Sequence, residues 1–389
     1  MLNFSKLEKD YLKKIASNYD YYVDDIGMYR SEEVLRSIFD EIKTNNPELL
    51  NNKEFMFNAI VLGDGYPFVF ASDDLKKDKE LILEAVQNFK DYKDYDFEYE
   101  VYADCYLWHP LNHISKELQS DKEIFLESLK NYKRTIEFID KDLKNDKEVI
   151  LTAVKQDGTA LYYASNELKN DKEVVMEAIK QNYRALKHAS DELRADKDIV
   201  LEAVKQNFQA IEYASDKLKA NKDFILNIVK INGQILDYIS DELKKDKEIV
   251  MKAVEQNGYA LCYTNSEFQN DREVVLTAIK NDDSWQGVLK YASDELKFNK
   301  DFIIEAINTN IKVFENLRYV DNELLKDSKI IETTINKFSK YECSKDYDLE
   351  ELKEHPEQLA DMLKTYNFTK EKLTKNNENE NTNKVQFGE

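Results

Sequence analysis

The sequence predicts an all-α protein, a right-handed α-solenoid of about eleven two-helix repeats in which a long helix alternates with a short one. Three observations predict it. An Asp-Lys-Glu triplet recurs along the chain, an apolar stripe of helical period follows each triplet, and turn formers are scarce, with 8 glycines and 4 prolines in 389 residues.

The triplet, with close variants, begins at Asn52, Asp78, Asp121, Asp146, Asp171, Asp196, Asn221, Asp246, Asp271, Asn299 and Asp327. From Asp121 to Asp271 every step is 25 residues; the outer steps are 26, 43, 28 and 28. The long steps read as the regular unit plus insertions.

In the unit Ala189–Tyr213, Asp196 is the expected N-cap, because its carboxylate accepts from free amides and suits the positive end of a helix. Ile199, Val200, Ala203 and Val204 make the apolar stripe of the long helix, and Asn207 stands where it should stop. The next residue is glycine in sister units (Gly158, Gly233, Gly258), as expected for a left-handed helix stop. A shorter helix carries Ala210, Ile211, Tyr213 and Ala214, and Ser215–Leu218 forms a capped turn. About six buried apolar side chains do not offset the ordering of such a unit, so the units must stack and share their faces.

Units such as Ala164-Ser-Asn-Glu-Leu-Lys-Asn-Asp-Lys-Glu-Val-Val-Met-Glu-Ala-Ile-Lys-Gln-Asn182 resemble the repeat known as domain of unknown function 4116. The resemblance covers roughly residues 47–330 and is specific because it recurs at fixed spacing. It implies the repeat fold and carries no agreed activity, ligand or catalytic residue.

Four regions follow: an N-terminal helical cap at 1–46, the repeat solenoid at 47–330, a C-terminal helical cap at 331–366 and a disordered tail at 367–389. In the first, Ser31 is the expected N-cap of a helix running to Thr44. In the third, Leu349, Leu352, Leu359, Met362 and Leu363 are apolar at helical spacing around Pro356. The tail is rich in Asn, Lys and Glu with little to bury.

The repeat does not account for an aromatic and acidic insertion at 91–110. Its centre, Tyr95-Asp-Phe-Glu-Tyr-Glu-Val101, alternates with period two, the signature of an extended segment. One reading is a loop whose aromatics fold back on a neighbouring repeat. The other is a protruding recognition element in which Tyr95, Phe97, Tyr99, Tyr102 and Trp108 supply anchors while Glu98 and Glu100 select a basic partner. A smaller insertion places Trp285 in the same two positions, packed locally or exposed for a partner.

The formal net charge is −21. Such a surface repels nucleic-acid phosphates and anionic lipid, so neither is an expected direct partner, while a protein with a basic patch is. Cys105, Cys262 and Cys343 are far apart and lack paired spacing, as in a reducing cytoplasm. The first residues carry no apolar signal core, and no apolar run is long enough for a membrane span.

Chemistry is sparse. Cys105, His109 and His113 are four apart and would line one helix face, a spacing zinc accepts. Pro110 interrupts the helix this assumes, and His113 falls at the packing position held by Tyr163, His188, Tyr213 and Tyr238. His188 and His355 pair with no nucleophile, and phosphate loops and cofactor motifs are lacking. The triplets align into a mixed-charge ladder that reads as capping and solubility. The position before the repeat tyrosine varies freely (Tyr162, Lys187, Glu212, Asp237, Cys262, Lys290), which marks solvent and hence a surface open to partners.

The sequence therefore predicts a monomeric, non-enzymatic protein-binding scaffold or adaptor without cofactor. The alternative is an acidic inhibitor, of the counter-defence type found on phages and mobile elements, that imitates nucleic acid and blocks a basic nuclease.

Overall fold

The computed structural model describes residues 4–17, 27–89, 109–282, 287–310, 313, 317 and 319–339, apart from the side chains of 27–33 and 322. Among the described residues the regular structure is helical, with no strand. Contacts divide the chain into two units, Met1–Arg194 and Ala195–Glu389.

In the first unit, helix Lys6–Ser17 opens on a reciprocal cap. Ser5 N–H donates to Glu8 Oε2 at 2.6 Å, and Glu8 N–H donates to Ser5 Oγ at 3.2 Å. The helix buries Tyr11, Leu12 and Ile15 and packs on helices Gly27–Asn45 and Lys53–Leu62. Gly27–Asn45 starts before Ser31, so the cap expected there lies inside the helix. The repeat helices Lys53–Leu62, Lys79–Asn88, Lys122–Asn131, Lys147–Gln156 and Lys172–Gln181 then pack each on the next.

The second unit repeats the arrangement with helices Lys197–Gln206, Lys222–Ile228, Lys247–Gln256, Arg272–Lys280, Lys300–Thr309 and Ser328–Phe338. All eleven repeat helices start directly after a triplet's first residue, whose side chain accepts from one or two amides of the first turn. The stripe read from the sequence is the buried one; Ile199, Val200, Ala203 and Val204 are all at most 1% exposed. Each unit is thus an all-α stack of repeats.

Two expectations need correction. The second helix of the repeat is a six-residue 3-10 helix, as at Phe208–Tyr213, followed by a separate short turn of helix, as at Asp216–Lys219. The tighter winding starts at the junction residue. Asn207 ends the long helix by donating its N–H to Ala203 O at 3.1 Å, then accepts Gln209 N–H on its side chain and Ala210 N–H on its carbonyl. That last bond spans three residues and sets the 3-10 pitch.

The glycines after the junction are not left-handed. Among the described residues positive φ occurs at Asp64, Gly65 and Gly287 alone. Gly158, Gly233 and Gly258 instead let the following helix approach: an added Cβ would lie 2.1, 2.3 and 2.1 Å from the carbonyl oxygens of Ala178, Ala253 and Ala278. Phe208 holds this position in one repeat, and there the residue equivalent to the facing alanine is Ile228, where the helix ends early.

Hydrogen bonds between consecutive repeats fix the register. Ser165 donates its N–H to Lys144 O at 2.8 Å and its hydroxyl to Asn145 Oδ1 at 2.6 Å, while its Oγ caps Leu168 N–H at 3.2 Å. Asn145 Nδ2 in turn donates to Glu167 Oε2 at 2.8 Å. The Ala-Ser-Asn-Glu-Leu segment is therefore a clip onto the preceding repeat as well as a turn.

Candidate functional site

Two edges of the repeat carry side chains that the core does not consume. The first is the capping edge. Most triplet lysines reach the next triplet's acids, as Lys147 reaches Asp171 Oδ2 and Glu173 Oε2, both at 2.7 Å, and Lys247 reaches Asp271 and Glu273 at 2.8 and 2.9 Å, while Arg272 reaches Glu305 instead. The hydrogen bonds to the two carboxylates raise the pKa of Lys147, and the bond from Lys147 together with the backbone amides lowers that of Asp171 against the effect of desolvation. Both partners stay charged at neutral pH. The edge is a set of closed rungs, each with two carboxylates on one ammonium, so its acids are held by neighbouring repeats and it keeps an excess of negative charge.

The second edge is the face of the 3-10 helices. Their third and fourth residues are buried (Ala160 and Leu161, Ala185 and Leu186, Ala260 and Leu261), the fifth faces outward and the sixth is half-buried. At the fifth position Tyr162, Lys187, Glu212 and Asp237 are exposed, and Cys262 and Lys290 are half-buried. In the first unit Tyr162 is 58% exposed; its ring meets Tyr163 at 5.0 Å and His188 at 5.3 Å, with Lys169 Nζ over it at 5.6 Å. In the second unit Tyr259 meets Tyr263 at 6.0 Å and Tyr291 at 5.7 Å. A hydrogen bond with Tyr291, and then the neighbouring Cys262, push Tyr259 up to about 12; burial first raises Tyr263 and Cys262. These hydroxyls and the thiol stay protonated at neutral pH, so the cluster offers contact area and hydrogen bonds rather than a nucleophile.

His109 is fully buried and occupied. It caps the 3-10 helix Pro110–His113, with Pro110 at the first helical position where a missing N–H costs nothing. Its Nδ1 accepts Leu111 N–H at 3.3 Å, and Nε2 meets Ser128 Oγ at 3.2 Å, which bonds Thr135 Oγ1 at 2.8 Å. Phe89, Tyr132 and Phe138 surround the ring at 4.8, 5.0 and 4.7 Å. Burial, with a smaller contribution from His113, pushes the imidazole down to about 3. Both nitrogens are used, so His109 serves the core and not the zinc set weighed from the spacing. Among the described residues no group of three His, Cys, Asp or Glu is placed to hold a metal, and no helix is long and apolar enough to cross a membrane.

A family model described as a domain of unknown function, DUF4116, matches residues 52–99, 108–144, 146–194, 171–219, 221–269, 246–285 and 271–325. The chain belongs to the DUF4116 family. No curated protein and no solved structure matches it.

Several DUF4116 matches begin at a triplet and span two repeats, so the family unit is a pair of the 25-residue elements seen here. Tyr95, Phe97, Glu98 and Tyr99 fall inside a match, Glu100 and Tyr102 fall between matches, and Trp108 opens the next. The departure from the DUF4116 pattern is therefore narrower than the insertion read from the sequence. Structurally, Tyr95, Phe97, Glu98, Tyr99, Glu100, Tyr102, Trp108 and Trp285 all lie outside the described residues. Tyr259 and Tyr291 escaped the sequence reading; both are half-buried, and Tyr291 stands at the repeat position of Tyr163 and His188 that the sequence assigns to packing.

Proposed function

We propose that this DUF4116 chain is a non-enzymatic scaffold that binds a protein partner through the face of its 3-10 helices. One observation carries the reading. The fifth position of these helices holds Tyr162, Lys187, Glu212, Asp237, Cys262 and Lys290, all at least partly exposed, next to buried positions that stay apolar from repeat to repeat. Stacking leaves this position free to differ, and the aromatics beside it supply the rigid area on which protein interfaces are anchored. The net charge of −21 favours encounter with a partner that carries a basic patch, while local contacts on the face decide where it docks.

The alternative, an inhibitor that imitates nucleic acid, draws less support. It needs a continuous acidic face, and on the capping edge lysines interrupt the carboxylates, as Lys122 stands between Asp146 and Glu148 at 2.8 and 2.7 Å and Lys147 between Asp171 and Glu173.

The test is affinity capture with tagged full-length protein from a lysate of its own organism. It compares the wild type, a face variant carrying Tyr162→Ala and Tyr259→Ala, and a control with Glu202→Ala and Lys205→Ala on a long helix. A stoichiometric partner retained by the control and lost by the face variant is expected. No stoichiometric partner at any salt concentration, or one that ignores the face variant, would sink the proposal.

A further inference from the structure

In most repeats the residue two before the triplet is a cation, and the residue three before that cation decides its fate. Arg194 pairs with Asp191, Lys219 with Asp216 at 3.9 Å, Lys244 with Asp241 at 3.9 Å and Lys297 with Asp294 at 2.9 Å. In two consecutive repeats of the first unit that acid is missing: Lys141 stands before Lys144, and Asn166 before Lys169. Lys144 and Lys169 make no ion pair among the described residues. The carboxylate that feels Lys144 is that of Asp140, already engaged by Asp142 N–H and the Ser120 hydroxyl.

Lys169 also feels its neighbour Lys144. Desolvation, then the charge of Lys144, lower the pKa of Lys169, and no carboxylate offsets them. Burial, then Lys169 and Lys187, lower that of His188. The aromatic on this patch is Tyr162, with Lys169 over its ring and His188 at its edge. A protein with 77 acidic side chains against 56 basic ones thus leaves two neighbouring, half-buried lysines without an ion pair beside Tyr162, the most exposed tyrosine among the described residues.

We propose that the patch formed by Lys144, Tyr162, Lys169 and Lys187 binds an extended acidic segment of a protein partner. The proposal rests on the reading of the 3-10 face as protein-binding and names the chemistry of one docking point. Adjacent repeats are about 10 Å apart at packed-helix spacing, and an extended chain advances about 3.3 Å per residue. Carboxylates three residues apart therefore match Lys144 and Lys169, and an aromatic between them meets Tyr162. A nucleic acid also fits a lysine and tyrosine surface locally. Its dense charge is repelled by the net −21 of the chain, whereas a short peptide with few carboxylates feels mainly the patch.

The test is fluorescence polarisation on the full chain at low salt. The probe is a fluorescein-labelled peptide with glutamate at every third position and tyrosine between. Saturable binding is expected, with affinity about tenfold lower or worse in the Lys141→Asp, Asn166→Asp double variant. That variant restores the acid which other repeats carry natively, so it leaves fold and melting temperature intact; Lys144→Gln with Lys169→Gln should weaken the peptide similarly. No saturable binding by the wild type, equal binding of a glutamine counterpart, unchanged affinity in the double variant, or tighter binding of oligothymidylate than of the peptide each overturns the proposal. A partner captured through Tyr162 and Tyr259 without peptide binding overturns this inference and leaves the scaffold reading standing; the lack of any captured partner overturns the scaffold reading.

Discussion

Gly258 and His109 show how single side chains carry the packing. A Cβ at Gly258 would meet the Ala278 carbonyl oxygen at 2.1 Å and the Asp282 nitrogen at 3.0 Å, both backbone. Gly258→Ala must push the next helix outward, and a loss of about 1–3 kcal/mol is expected in urea unfolding; an unchanged midpoint would show that the stack yields freely. The glycine itself was legible in the sequence, but its reason was not, because the atom it accommodates belongs to a helix some twenty residues further on. His109 gives a pH signature. Burial holds its folded pKa at about 3, below the ordinary imidazole value of 6.5, so the unfolded chain binds the extra proton. Stability from this site is complete above pH 6.5 and falls as pH drops toward 3, by about 1.4 kcal/mol per pH unit. His109→Phe keeps an aromatic among Phe89, Tyr132 and Phe138 and leaves Ser128 bonded to Thr135. Its unfolding midpoint should lose most of that acid slope; a slope equal to the wild type would assign the sensitivity elsewhere.

At the scale of the element, each triplet joins two functions that substitution separates. Asp171 caps its helix through Oδ1, which accepts Glu173 and Val174 N–H at 3.0 and 3.2 Å, and uses Oδ2 for Lys147. Asp171→Ala removes both, and the lost cap alone is worth about 1 kcal/mol. Asp171→Asn keeps a cap of the kind native at Asn52, Asn221 and Asn299 and removes the charge. In thermal melts the Asn variant should fall short of wild type at low salt and match it at high salt, where exposed pairs are screened, while the Ala variant stays destabilised throughout. Equal damage in both variants at high salt would deny the cap its part. The lowered pKa of Asp171 means that its contribution holds above the ordinary carboxylate range and is lost as pH falls through its folded value. The starts of all eleven long helices were legible because a local carboxylate or amide sets each one. The 3-10 winding of the second element was not, since apolar spacing over six residues fits either helix and the Asx junction at Asn207 decides between them.

At the scale of the whole molecule, the chain builds stability from neighbours. Within each unit every repeat helix packs on the next, the clips at Ser165 and Asn145 join consecutive repeats, and lysine rungs such as Lys147 to Asp171 do the same. The repeat period made this legible. Which repeats depart from it in function was legible only as unusual residues, because the missing acids before Lys144 and Lys169 gain meaning once their counterparts Asp216, Asp241 and Asp294 are seen as ion-pair partners. A nearest-neighbour stack predicts local rather than global failure. In hydrogen exchange, Gly258→Ala should strip protection first from helices Lys247–Gln256 and Arg272–Lys280, which flank it. The helices of the Met1–Arg194 unit should keep theirs, since the contacts that hold them lie among their own repeats. Loss of protection at one rate in both units would instead mean that the chain opens as a single cooperative body, and the additive account of its repeats would fail.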